Sequence, residues 1–427
     1  MAIVARFLYN GLVVPAARAT LPIVARFHSR LAEVLAERRG ALERWREAAQ
    51  RTAGRTPRIW FHASSAGEAL QARPLVEAVR SERSEAAIFF SWWSPSAGRF
   101  ARGWEVDHAD VLPLDIAGST RRLVDSIAPD ALVLVGGETW PNLVWSTDAA
   151  GASVAQACCR LAEGSRRLRW PALSITRDLY RRLAAVAAVR EADAGRVHAL
   201  GVEPARIAVT GDTRVDATLE RAGRARGAAT PWRPTSGSVV VAGSTHARDE
   251  TALLPALATL RRRHASLVAI VAPHDPTPMA IAALETRARE NGLATCRLSS
   301  LPEAGDAEVV IVDRVGVLYD LYALADVAYV GGAFDGSVHN TMEPAAFGVP
   351  IVVGPQPGPF HEVADLAAAG ALVTADSAQE LARALELWLG DPAARMRAGS
   401  AARATLERHR GATARTIEFL RARGLPV

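Results

Sequence analysis

From position 58 onward, short runs of β-branched and aromatic residues alternate with longer stretches whose apolar positions recur every three or four residues. The runs, flanked by turn formers, predict strands at 59–64 (IWFHAS), 87–93 (AIFFSWW), 131–137, 153–159, 184–189 and 206–211. The amphipathic stretches between them predict crossover helices, which make neighbouring strands parallel. At 227–238 (GAATPWRPTSGS) the rhythm breaks into Pro, Gly, Ser and Thr, the composition of a linker. A second series follows at 239–244, 267–273, 309–313, 326–332, 350–355 and 371–375. The pattern predicts an α/β chain with two Rossmann-like, doubly wound parallel-sheet domains, 51–226 and 239–427, after a segment 1–50 of different character.

In that first segment Phe7, Leu8, Leu12, Val13, Val14, Leu21, Ile23, Val24 and Phe27 are interleaved with arginines. Ten arginines against four glutamates leave residues 1–55 at +6, while the other 372 residues sum to −1; lysine is absent from the chain. Positive charge gathered in one segment points to a local anionic partner and away from nucleic acid wrapped over the surface. Arg6 and Arg18 leave eleven residues between them, and a helical crossing takes about twenty. With no run of eighteen uncharged apolar residues, a conventional span is excluded, and Pro15 and Pro22 predict broken interfacial helices lying on a membrane. The same pattern suits a helical pair packed on its own domain, or a signal peptide with Arg6 as its charged end.

Composition narrows the class further. Apolar residues at 49% and charged residues at 22% describe a folded chain with a large core, not a disordered one. The three cysteines, Cys158, Cys159 and Cys296, form no CxxC pair, so neither a disulfide framework nor a cysteine zinc site is predicted and a reducing cytoplasm is the expected compartment.

In doubly wound sheets ligands bind beyond the carboxyl ends of the strands, and polar clusters fall there. Glu68 follows the small residues Ser64, Ser65, Ala66 and Gly67. It reads either as a carboxylate complementing a helix dipole, which would lower its pKa, or as a general base. Glu138 follows the third strand and Arg214 the sixth; an arginine between Asp212 and Asp216 is by default salt-bridged, or else a bidentate partner for a departing phosphate. In the second domain Ser244 and His246, Pro273 and His274, and the stretch from Gly331 to Glu343 occupy strand ends. Asn340 and Glu343 have capping-box spacing, and a glycine-containing loop leading into a helix is also an anion site. Neither GxGxxG nor GxxxxGK[ST] is present, which disfavours a dinucleotide site or P-loop. His62, His246, His274 and His339 lie on four separate loops with no i, i+4 pair, so no metal is predicted. Trp92, Trp93 and Trp140 read as packing residues.

Taken together, IWFHASSAGE (59–68), GGETWPNL (136–143), VTGDTRVD (209–216), AGSTH (242–246), APHDP (272–276) and the stretch 326–355 containing HNTMEP resemble, in order and spacing, the 3-deoxy-D-manno-octulosonic acid (Kdo) transferases. The resemblance covers nearly the whole chain. It implies a GT-B glycosyltransferase, two Rossmann-like domains facing a central cleft with an N-terminal amphipathic helical membrane anchor. It implies transfer of Kdo from CMP-Kdo to a lipid A precursor, lipid IVA, at the cytoplasmic face of the inner membrane, with no cofactor or metal. It makes Glu68 the proton acceptor, Arg214 (where the family usually has Lys) the transition-state stabiliser, and Glu138 the remaining acid of a Glu-Thr-Glu motif. The cytidine nucleotide maps onto Ser244, His246, Pro273 and His274, onto Val315, Gly316 and Val317, and onto Asn340, Thr341, Met342 and Glu343. Gly136 stands where the family has an acid, His274 where it has an arginine, and Val317 where a turn has Glu. These departures keep open a UDP-sugar-dependent glycosyltransferase or epimerase on the same fold, and beside it a non-catalytic lipid-binding relative, against which the retained Glu68 and HNTMEP segment argue.

Overall fold

The computed structural model describes residues 2–226, 237–303 and 307–427. The predicted linker, 227–238, lies outside them except for its last two residues. By contact the chain parts into two compact units, Met1–Asp216 with Gly411–Val427, and Ala217–Arg410.

The first unit holds a seven-stranded parallel sheet in the order β3-β2-β1-β4-β5-β6-β7. Its strands are β1 Arg58–Ala63, β2 Ala87–Trp92, β3 His108–Val111, β4 Ala131–Val135, β5 Ser153–Cys159, β6 Ala185–Ala188 and β7 Ile207–Val209. Period-two alternation divides the central strands between two cores. Trp60, Phe89, Leu132 and Leu134 face one side, and Ile59, Phe61, Ile88, Phe90 and Val133 the other. The first core is closed by Ala41 and Trp45 of the helix Ala41–Arg51. The second is closed by Ile417, Leu420, Leu425 and Val427 from the end of the chain.

The second unit repeats the plan with β8 Val239–Thr245, β9 Val268–Pro273, β10 Thr295–Arg297, β11 Val309–Ile311, β12 Val327–Val330, β13 Ile351–Val353 and β14 Leu372–Thr374. These are ordered β10-β11-β9-β8-β12-β13-β14, all parallel. Val240, Ala242, Val271, Ile311, Tyr329 and Val352 pack with Leu253, Leu257, Leu381 and Trp388 of the flanking helices.

Three sequence expectations are corrected here. The last domain does not run from 239 to 427, because residues 411–427 return to the first unit. They are anchored where Gly411 and Thr413 donate backbone N–H groups to the Asp216 carboxylate at 2.6 and 2.7 Å. Residues 1–50 are not one membrane-facing piece. Trp45 is fully buried and donates to the Val111 carbonyl at 3.0 Å, and Arg44 grips both oxygens of Asp110. Only the front half exposes its apolar side chains, with Val4, Phe7, Leu12, Ile23, Val24 and Phe27 all exposed. Finally, Pro15 and Pro22 do not break that front half. Ala2–Phe7, a π-helical turn Leu8–Val13 and Val14–Ala25 follow one another directly. Pro15 stands just after the π-helical turn, at the second position of Val14–Ala25, and Pro22 lies inside that helix, so neither proline ends the helical run. The exclusion of a conventional span falls with it: Val4–Ala25 is long and apolar enough to cross a membrane by length and composition, which a count of uncharged residues does not detect. Part of it is tied to the domain, as Tyr9 donates to Asp115 at 2.9 Å and Asn10 exchanges amide hydrogen bonds with Asn142.

Candidate active site

In each sheet one place separates strands whose connections run in opposite directions, between β1 and β4 in the first and between β8 and β12 in the second. Loops diverge there and leave a crevice at the strand ends. Most of the predicted site residues sit at these two places.

In the first unit, β1 ends at Ala63 and Ser65 caps the helix Ala66–Glu82 in a capping box with Glu68. Glu68 Oε2 accepts from the N–H groups of Ser64 and Ser65 at 2.9 and 3.0 Å and faces the Ser65 hydroxyl at 3.2 Å. Oε1 accepts from the Gly137 N–H, at the end of β4, at 3.2 Å. A carboxylate oxygen has about two lone pairs, so Oε2 is saturated while Oε1 retains capacity. Burial raises the Glu68 pKa most, the nearby Glu138 carboxylate adds to it, and the N–H groups of Gly137 and Ser64 oppose it. The expectation that the helix dipole lowers this pKa is therefore corrected: desolvation wins.

Gly136, where the resemblance implies an acid, has φ +92°, and a β-carbon there would come within 2.4 Å of Glu68 Cγ and Oε1. The space an acid would need is filled by Glu68 itself. Beneath it His62 lies within β1, not on a loop. It is fully buried, its Nδ1 2.8 Å and its Nε2 3.3 Å from the hydroxyls of Ser91 and Ser64. Burial, helped by the charge on Arg38, lowers its pKa to about 3, so it is a neutral strut. Trp140 donates to the Ser64 hydroxyl at 3.1 Å and stacks on Trp93 at 4.3 Å, so these tryptophans pack around the floor of the site as their sequence context predicts.

Arg214 opens the helix Arg214–Arg226 and grips Asp212 through Nε at 3.1 Å and Nη2 at 2.7 Å. Burial alone would raise the Asp212 pKa, but the Arg214 charge and hydrogen bonds hold it at about 2. Thr213 donates to the carbonyl of Gln71, which fastens this loop to the helix that carries Glu68. Glu138 is exposed.

In the second unit a register irregularity between Gly243 and Thr245 puts Ser244 at φ +54°, strained backbone at a strand end. Asp249, fully buried, accepts from the N–H groups of His246 at 2.8 Å and Gly332 at 2.9 Å and from the Tyr329 hydroxyl at 2.6 Å, joining the ends of β8 and β12. Gly332 needs to be glycine, since φ is +97° and a β-carbon would meet the Ser337 carbonyl at 2.4 Å. This brings three histidines together. His246 Nε2 is 2.9 Å from His339 Nε2, and the rings of His274 and His339 stack at 4.3 Å. Burial lowers the His339 pKa to about 4, with the other two imidazoles contributing. The metal-free expectation rested on spacing, and spacing does not register a cluster assembled from three strand ends.

Asn340 does not occupy the N-cap itself, which is Thr341; the helix is Met342–Phe347. Asn340 nevertheless caps it, its Oδ1 accepting from the Met342 N–H and its amide donating to Glu343 Oε1, both at 3.1 Å. Burial raises the Glu343 pKa to about 7, against the pull of Arg221 and Asn340. Val315 is exposed, and Gly316 (φ +88°) and Val317 lead into a short helix whose Tyr319 carries the Arg221 guanidinium 3.9 Å over its ring. Pro273 closes β9, and His274 donates its N–H to the Thr245 carbonyl at 2.9 Å. Sequence reasoning foresaw Asp212 as a salt-bridge partner of Arg214 but missed Ser64, Gly137 and Asp249 as organisers; of these Asp249 had a readable signal, three residues after His246 at a helix start.

Residues 34–217 match the family model described as 3-deoxy-D-manno-octulosonic-acid transferase (kdotransferase), and residues 304–405 match glycosyl transferases group 1. A 3-deoxy-D-manno-octulosonic acid transferase of Bordetella pertussis is 32% identical over 389 residues, 85% of this chain and 86% of that protein. Among solved structures, UDP-GlcNAc 2-epimerase from Neisseria meningitidis bound to UDP-GlcNAc has a TM-score of 0.61 at 12% identity, covering 85% of this chain and 99% of that one. A glycosyltransferase from Rickettsia africae has a TM-score of 0.56 at 11% identity, covering 87% and 99%. These two likenesses concern the fold, which is GT-B.

Proposed function

The chain belongs to the Kdo transferase family and is a glycosyltransferase, and on that premise we propose that it moves Kdo from CMP-Kdo to a lipid A precursor, lipid IVA, in lipopolysaccharide assembly at the cytoplasmic face of the inner membrane. In this reading an acceptor hydroxyl attacks the anomeric carbon of the donor as the bond to the CMP phosphate breaks, inverting that carbon. The hydroxyl proton passes to Glu68, and the bonding electrons leave with CMP. The observation that carries the reading is the state of Glu68: one carboxylate oxygen is saturated, the other keeps accepting capacity, and the pKa is raised by burial. A base fixed in position and made more basic by desolvation is what hydroxyl activation requires.

Arg214, permanently charged and oriented by Asp212, offsets charge on the leaving phosphate but cannot deliver a proton. Glu138 stands near enough to raise the Glu68 pKa, which gives this exposed acid a tuning role. Ser244, His246, Pro273, His274, the 315–317 loop and Asn340 to Glu343 hold the cytidine nucleotide, with Glu343 accepting from ribose hydroxyls. The exposed apolar face of Val4–Ala25, with Arg6 and Arg18, associates with an anionic membrane.

The test is release of CMP from CMP-Kdo by the purified full chain, with and without lipid IVA. Acceptor-dependent release is expected, and none from a UDP-sugar; turnover with a UDP-sugar alone would overturn the donor assignment. For the membrane, Phe7→Glu, Ile23→Glu and Phe27→Glu together should abolish flotation with anionic vesicles; undiminished flotation rules the apolar face out.

A further inference from the structure

We propose that His246, His274 and His339 of the second unit form a binding site for one divalent transition-metal ion that favours imidazole, zinc above all. The ligating atoms of the three side chains lie within 4.8 Å of one another. The histidines come from the loops that follow three neighbouring strands, β8, β9 and β12, and each is held through its backbone N–H. The His246 N–H donates to Asp249 at 2.8 Å, the His274 N–H to the Thr245 carbonyl at 2.9 Å and the His339 N–H to the Gly331 carbonyl at 3.0 Å. The sheet and its loops therefore hold the three backbones in place, and the side chains converge from there.

Two details favour a cation at its centre. His246 and His339 point Nε2 at Nε2 across 2.9 Å, so two lone pairs converge unless one nitrogen keeps a proton. A metal ion uses both lone pairs. Behind His246, its Nδ1 lies 3.3 Å from the Asp335 carboxylate, which Arg248 also approaches at 3.6 Å. A carboxylate on the far nitrogen fixes the tautomer of a ligating histidine and raises its basicity. Bonds of 2.0–2.1 Å in a tetrahedral site put ligand nitrogens about 3.3 Å apart. That value lies between the 2.9 Å of the closest pair and the 4.8 Å span of the trio, within reach of small side-chain rotations. An all-nitrogen set selects zinc, cobalt or nickel over magnesium or calcium, and three protein ligands leave a fourth position for water or an anionic oxygen.

The inference does not rest on the transferase reading, so its test omits sugar nucleotide. The full chain, stripped with a chelator, is titrated with Co²⁺, followed by visible absorption, and then with Zn²⁺ in competition. One ion per chain is expected, with Mg²⁺ unable to displace it. His339→Ala, and His274→Ala at the most exposed of the three positions, should each weaken binding by ~100-fold or more, and Asp335→Asn by ~10-fold. Thermal unfolding of each variant shows that it is folded. Sub-stoichiometric binding, displacement by Mg²⁺, or wild-type affinity in folded His274→Ala would overturn the site and leave the transferase assignment standing.

Discussion

Glu68 and Glu343 occupy matching places in the two units, each in the first turn of a helix beyond the strand ends where its sheet changes direction. Both are half-buried, and in both burial is the largest influence raising the pKa. Their surroundings differ. Glu68 receives three backbone N–H groups and faces a serine hydroxyl, so it is held in one orientation. Glu343 receives one side-chain amide, from Asn340, and its pKa reaches about 7. The same residue type in the same topological place thus suits two tasks. A carboxylate already satisfied by the backbone is positioned for one directed proton transfer, whereas one left short of donors is ready for hydroxyl groups brought by a ligand.

Three experiments press on that contrast. Glu68→Gln keeps the acceptor geometry of one oxygen but removes the basicity. Transfer should fall by about 10²–10⁴-fold with CMP affinity unchanged, and near-normal turnover would refute the base. Gly136→Ala puts a β-carbon where Glu68 now lies, in backbone that disfavours it. Stability should drop by about 1–3 kcal/mol, and the rate should fall further than the folded fraction, measured by denaturant titration alongside initial rates. Equal losses of both would mean that Glu68 does not depend on that gap.

The smallest effect concerns Glu343. A folded pKa of about 7 against an ordinary 4.5 means that the folded protein holds this proton more tightly than the unfolded chain. Its contribution to stability is therefore complete below pH 4.5 and is lost as pH rises through 7. Glu343→Gln should flatten that part of the stability profile. On the proposal that Glu343 accepts from ribose in its ionised form, CMP affinity should rise by up to about tenfold from pH 6 to 8, beyond any change seen in the variant. Parallel profiles for the two proteins would remove Glu343 from the nucleotide site.

The architecture was largely legible because twelve of the strands fall on β-rich apolar runs, most of them buried. The two that escaped, β3 (HADV) and β10 (TCR), are short, partly polar edge strands, where pairing on one side asks less of the sequence. Glu68 was legible as a helix-start acid, but its pKa was not, since desolvation depends on residues such as Gly136 and Glu138 almost seventy positions away. The histidine cluster was illegible for a related reason: His246, His274 and His339 are local to nothing but the sheet order.

The return of residues 411–427 to the first sheet sets an order on biosynthesis. Everything the second unit needs, through Arg410, is synthesised before the helix that seals the Ile59 and Phe61 side of the first sheet. Until Ile417, Leu420 and Val427 are made, that nascent half carries an open greasy flank, so the second unit can mature while the first still waits for this helix.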